Sequence, residues 1–147
     1  MSTFGITILR AVVGATFAAH GAQKLFIFGI SGTAAAMQQM GIPLPLLSAI
    51  LVTAAEFLGG IALILGLGTR IAAIPLAFTM LVAMISVHLK GGFFLPAGIE
   101  FTLVLLAANV SLALTGGGAF ALDNVLWRSD DSSPEIGGTR PRESRVA

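Results

Sequence analysis

The twenty-two residues LLSAILVTAAEFLGGIALILGL, from Leu46 to Leu67, carry a single charge, Glu56. A helix needs about 20 predominantly apolar residues to cross a hydrocarbon core about 30 Å thick. This run meets that length and places its charge near the middle. Three further runs read the same way. Thr3–Leu25 is interrupted by Arg10 and His20, Thr69–Leu89 has Pro75 inside it and His88 at its end, and Ile99–Thr115 begins beside Glu100 and contains Asn109. Gly66, Gly68 and Thr69 leave room only for a tight turn, so the second and third runs must be antiparallel neighbours. Lipid cannot satisfy loose backbone groups, and no ten-residue alternating strands occur, which leaves helices as the spanning elements. The fold class is therefore all-α: an integral membrane four-helix bundle with helices over about 3–25, 46–67, 69–89 and 99–115.

The charge pattern agrees. The 147 residues are 56% apolar and 10% charged, against roughly 25% charged in soluble domains, and the mean hydropathy is +0.95. Residues 1–122 hold six charges, Arg10, Lys24, Glu56, Arg70, Lys90 and Glu100. A chain of this size cannot hide so much apolar surface from water, which excludes a water-soluble monomer. The lipid bilayer is the first partner. No basic stripe is present, so no nucleic acid is expected. The absence of cysteine excludes disulfides, thiol exchange and iron–sulfur ligation by this chain. MSTFGITIL carries no Lys or Arg before Arg10, so the first run reads as a retained helix, not a signal peptide.

Between the first two helices, Ser31–Met40 looks helical but is too short and polar to span, and GIPLP at Gly41–Pro45 breaks it. It is expected to lie at the interface. The Lys90–Gly98 segment sets glycines beside Phe93 and Phe94, which suits an interfacial or re-entrant loop with the two rings as anchors. Residues 1–127 form one transmembrane domain closed by an interfacial Trp127. Residues 128–147, rich in Ser, Pro, Gly and mixed charge, read as a disordered polar tail. Four helices put the N-terminus, the Thr69–Arg70 turn and the tail on one side. Arg70, Arg128 and the tail arginines there outnumber Lys24 and Lys90, which places both termini in the cytoplasm. His20-x-x-x-Lys24 and His88-x-Lys90 also echo one another at the ends of the first and third helices, as a duplicated hairpin would.

Intramembrane ionisable groups cost about 2.5–3.5 kcal/mol each at mid-helix, so they call for a partner or a role. At about 1.5 Å per residue, Arg10 falls roughly 10 Å deep and Glu56 and Asn109 roughly 15 Å. Arg10, Glu56 and Asn109 thus form a central layer, with Arg10 and Glu56 as its ion pair. His20, Gln23, Lys24, His88 and Glu100, together with Lys90, form an outer layer that reads as a ligand or proton site. The central pair has two readings: a device that fixes helix register, or a group that binds ligand or handles protons. Lys24 and Lys90 also have a plain reading, snorkelling to headgroups. Two histidines at one face can ligate a haem, and His20, His88 and Glu100 are a permitted zinc set. Nothing else marks either site, so neither haem nor metal is expected. Gly14, Ala15, Ala18, Ala19, Gly59, Gly60, Ala62, Ala107, Ala108 and Ser111 read as surfaces for close helix packing.

Arg10, HGAQKLF at His20–Phe26, EFLGGIALILGLGTR at Glu56–Arg70, the His88…GGFF…Gly98-Ile-Glu100 block and GGGAFALD at Gly116–Asp123 together resemble the DoxX family of small four-helix membrane proteins, over about residues 5–123. The resemblance implies a multi-pass protein of the bacterial inner (plasma) membrane, in a family described as oxidoreductases or their subunits, some linked to quinone as electron acceptor. By the same match Arg10, His20, Gly21, Lys24, Glu56, Gly59, Gly60, Arg70, His88 and Glu100 fall on the family's recurrent positions, which gives positions and not roles. The residues themselves offer no thiol pair and no dinucleotide fingerprint. The expected function is accordingly the membrane or quinone-binding component of a redox system, with quinone the candidate cofactor. A homo-oligomer or a soluble or membrane redox partner would accompany it. Two alternatives stand beside this: a small-molecule or lipid carrier using a buried Glu56, and a non-catalytic scaffold for soluble partners.

Overall fold

A computed structural model describes residues 3–126, and the expectations for Trp127, Arg128 and the 128–147 tail lie outside the described residues. The chain is helical throughout, without a strand among the described residues. α1 (Thr3–Ala22) runs into a π-helical segment, Gln23–Phe28, and then into α2 (Gly29–Gln39). α3 is Pro45–Leu65, and α4 is Thr69–Ala83, which continues through a second π-helical segment at Met84–His88. α5 (Glu100–Thr115) and the short α6 (Leu122–Leu126) complete the bundle. Three helical stretches, Thr3–Gln39, Pro45–Leu65 and Thr69–Gly91, are long and apolar enough to cross a membrane, and α5 is a shorter apolar helix.

Local chemistry sets the boundaries of α3. Pro45 occupies its first turn, where a missing N–H costs nothing. At the other end Gly66 adopts φ 72°, the left-handed conformation that glycine tolerates without a Cβ penalty. Leu67 N–H donates to Ala62 O at 2.9 Å and Gly66 N–H to Leu63 O at 3.2 Å, the paired bonds of a Schellman stop. The first helix is less simply bounded. Its helical run extends well past residue 25, and the turn of direction comes at Gly29, with φ 70° and ψ 164°. The helical stretch expected over Ser31–Met40 is α2, which packs against α3.

Each long helix buries one stripe at alternating spacings of three and four. On α3 the stripe is Ala49, Thr53, Glu56, Gly60 and Leu63, on α4 Thr69, Ala73, Leu76 and Met80, and on α5 Thr102, Leu105, Asn109 and Leu112. Phe17, Leu63, Leu76 and Leu112 are fully enclosed at the centre. α1 and α3 touch backbone to backbone. A Cβ added at Gly60 would lie 2.7 Å from Gly14 O, and one at Gly21 would lie 2.6 Å from Phe57 Cα. Such approach lets dispersion replace the hydrophobic effect that lipid removes. The outer surface carries large apolar side chains, among them Ile8, Ile71, Phe78 and Leu114, as a lipid-facing surface should.

Candidate functional site

Two polar clusters lie in or beside the bundle, and neither is the Arg10–Glu56 pair expected from depth. Arg10 sits at the end of the bundle that holds the Gly66–Gly68 turn. Its guanidinium donates to Leu63 O, to Ile64 O at 2.8 Å and to Gly117 O at 3.0 Å. Leu63 and Ile64 belong to the last turn of α3, the negative end of the helix dipole. Arg10 therefore hydrogen-bonds to carbonyls alone, with the Asp123 carboxylate near enough to act on it through charge. Glu56 is seven residues back along α3, roughly 10 Å away by helix rise. Depth counted from Thr3 sets α1 too far along its axis. The apolar run extends to Gln39, so α1 is shifted along its axis relative to α3.

The same end holds a residue that the sequence reading did not single out. Asp123 accepts from Gly68 N–H at 2.6 Å and Thr69 N–H at 3.1 Å, capping the N-terminus of α4. Its own N–H donates to Gly66 O at 3.0 Å. An acidic residue just after a glycine-rich closing segment was the available signal, but its partner lies 55 residues away in sequence. Arg70 Nη2 donates to Thr115 O at 3.4 Å, and Ala119 N–H donates to Thr3 O at 3.1 Å. This cluster ties loops and helix ends together.

Glu56 pairs instead with Lys24. Lys24 Nζ donates to Glu56 Oε2 at 2.5 Å, with side-chain exposures of 21% and 5%. Glu56 lies near the middle of α3, and Lys24 lies in the π-helical segment that follows α1. Lys24 was placed at the outer surface; the axial shift of α1 carries it inward. A buried ion pair is held by mutual neutralisation, and removing one partner leaves the other uncompensated. Lys24 also lines an apolar groove of about 440 Å³ with Phe28, Gly32, Thr33, Ala36, Met37 and Met40. It is the one charged residue on that lining, so the ion pair meets the groove through the Lys24 side chain.

The remaining outer-layer residues do not converge on this pair. His88 Nδ1–H donates to Ala97 O at 3.1 Å, and Glu100 Oε1 accepts from Leu95 N–H at 2.7 Å. Both side chains brace the loop between α4 and α5, on which Phe93 and Phe94 stand exposed. His20 is exposed and packs its ring 6.4 Å from that of Phe101. Gln23 is exposed on α1's continuation, and so is Lys90 on the loop. Asn109 is fully buried on α5, donating Nδ2 to Leu105 O at 2.8 Å while Oδ1 has no partner. Thr53 Oγ1, one turn from Glu56, is a second buried oxygen without a partner. No group of three metal-ligating side chains occurs among the described residues.

The DoxX family model matches residues 5–89. The chain is 36% identical over 124 residues to a Bacillus subtilis protein named "Putative oxidoreductase CatD", covering 84% of this chain and 88% of that one. It is 32% identical over 124 residues to the inner membrane protein YphA of Escherichia coli, covering 80% and 87%. No solved structure matches the chain significantly. The segments that build the Lys24–Glu56 pair and its groove all fall inside the matched span.

Proposed function

The chain belongs to the DoxX family of multi-pass inner-membrane proteins, and from that membership we propose that it is the membrane component of a redox system, binding a quinone head at the Lys24–Glu56 pair. The observation that supports this reading is the ion pair opening onto an apolar groove. About 440 Å³ falls within the usual range for small-molecule sites, which are mostly apolar with a few placed polar groups. Phe28, Met37 and Met40 offer adaptable apolar walls for a ring and its tail. Lys24 offers an ammonium donor to a carbonyl oxygen while Glu56 keeps the site neutral overall. A bound quinone would supply electron-carrying chemistry that the chain's own side chains lack. The chain's part is to hold the head, exclude water and keep a charged donor at the carbonyl.

The test separates binding from support of the fold. Lys24→Met with Glu56→Leu removes both charges together, so no unpaired charge stays buried. The double variant is expected to keep the wild-type melting temperature in detergent within a few degrees. Quinone extracted from protein purified out of native membranes should fall at least fivefold. Equal quinone in both preparations, or none in the wild type, overturns the proposal.

A further inference from the structure

We propose that the groove along α2 holds the first units of an isoprenoid tail, and that Gly32 and Ala36 make the site select a prenylated quinone over a tail-less one. The inference deepens the quinone reading above and rests on it. It starts from a glycine that the fold does not require. Gly14, Gly21 and Gly60 stand where a Cβ would strike the backbone of a neighbouring helix, and a Cβ at Gly59 would meet the Leu76 side chain at 3.3 Å. Gly29 and Gly41, at the two ends of α2, have positive φ of 70° and 73°. Gly32 has neither reason. It lies inside α2 without a positive φ, and the nearest atom to a Cβ there is Phe28 Cβ at 3.8 Å. Glycine is the poorest helix former after proline, so this position weakens α2 with no close approach inside the chain to explain it. The missing side chain keeps the groove open.

The shape and chemistry of the groove select its occupant. Phe28, Gly32, Ala36 and Met40 recur every four residues, and Thr33 and Met37 form the adjacent row. Residues so spaced share one helix face, so the groove follows the α2 axis. From Gly32 to Met40 it extends about 12 Å. Its charged end is Lys24, held on Glu56. Beyond Lys24 the lining carries one hydroxyl, on Thr33, which donates to Gly29 O at 2.9 Å. A polar extension of the ligand would find few partners there and would lose its hydration. A hydrocarbon tail has no such cost. An isoprenoid chain also carries methyl branches, which need the width that Gly32 and Ala36 leave between the larger Phe28 and Met40. These four residues are exposed on the membrane-embedded chain, so the rest of the tail continues into lipid and the ligand enters sideways from the bilayer.

The test compares two probes on the full chain in detergent micelles, with protein-free micelles as the calorimetric blank: a benzoquinone without a tail, and the same ring carrying a two-unit isoprenoid tail. The wild type is expected to bind the prenylated quinone at least tenfold more tightly. Gly32→Leu with Ala36→Leu fills the groove and should lower that ratio at least fivefold. The same variant should melt no lower than wild type, because leucine favours the helix and the added side chains enter open space. A purely structural role for Gly32 predicts the opposite, a lower melting temperature. Equal affinity of the wild type for both probes overturns the tail proposal and leaves the head site standing, as does a ratio unchanged by the two leucines in a variant that melts normally. Binding of neither probe to the wild type overturns the quinone reading and the tail proposal together.

Discussion

Gly60 leaves no room for a side chain. A methyl there would lie 2.7 Å from Gly14 O and 2.9 Å from Ala18 Cα, and backbone cannot move aside as a flexible side chain can. Gly60→Ala should therefore destabilise by about 1–3 kcal/mol, the usual range for overpacking, and lower the melting temperature in detergent. Gly32→Ala is its control. The nearest atom to the added methyl is Phe28 Cβ at 3.8 Å, an ordinary contact, and alanine is the better helix former by up to about 1 kcal/mol. That variant should melt at or above the wild-type temperature. Arg10 provides a second case. Its planar fork reaches three carbonyls on two segments, a geometry that an ammonium cannot reproduce. Arg10→Lys keeps the charge and should still cost about 1.5–3 kcal/mol, the scale of hydrogen bonds to a charged group. An unchanged melting temperature would mean that charge alone suffices.

Helix existence was legible in the sequence, while axial placement was not. Hydropathy located α3 to within two residues and α5 to within one, because Pro45, Gly66 and Gly116 stop those helices with local chemistry. The first helix had no such stop. Its apolar run exceeds the bilayer thickness, so the sequence offered no mark for where the membrane begins along it. A shift of a few residues was enough to exchange Arg10 for Lys24 as the partner of Glu56. Helical period relates faces of one helix; it does not relate heights of two. The two π-helical segments, Gln23–Phe28 and Met84–His88, occupy corresponding places after α1 and α4, where the sequence echo of His20/Lys24 and His88/Lys90 lies. Their partners differ, since Lys24 meets a carboxylate and His88 a loop carbonyl. At the far end of the bundle, the α4 terminus depends on a contact that no local pattern displays. Asp123→Ala removes both acceptors from Gly68 and Thr69 N–H, and should cost about 0.5–2 kcal/mol, as lost N-caps do. Asp123→Asn retains an acceptor and loses the dipole contribution, so its melting temperature should fall between those of Asp123→Ala and wild type.

At the scale of the whole molecule, both ends of the described chain meet at one end of the bundle. Thr3 O accepts from Ala119 N–H, and Asp123 joins the Gly66–Thr69 turn. An even number of crossings follows. The 66–70 turn then lies on the side of both termini, and the 90–98 loop on the other. Among the described residues the first side carries Arg70 and the loop side carries Lys90, while the arginines at 128, 140, 142 and 145 lie outside the described residues. Lys24 no longer weighs against this count, because it is held by Glu56 inside the bundle and not at the outer surface. Removing it from the tally strengthens the bias toward cytoplasmic termini, since orientation follows the Lys and Arg of short flanking loops. A cysteine-free chain makes the orientation directly measurable. Lys90→Cys, on the exposed loop, should react with a membrane-impermeant maleimide in intact spheroplasts. Leu67→Cys, 43% exposed in the opposite turn, should react only after permeabilisation. The reverse pattern would invert the molecule, and labelling of both positions in intact cells would contradict the even number of crossings itself.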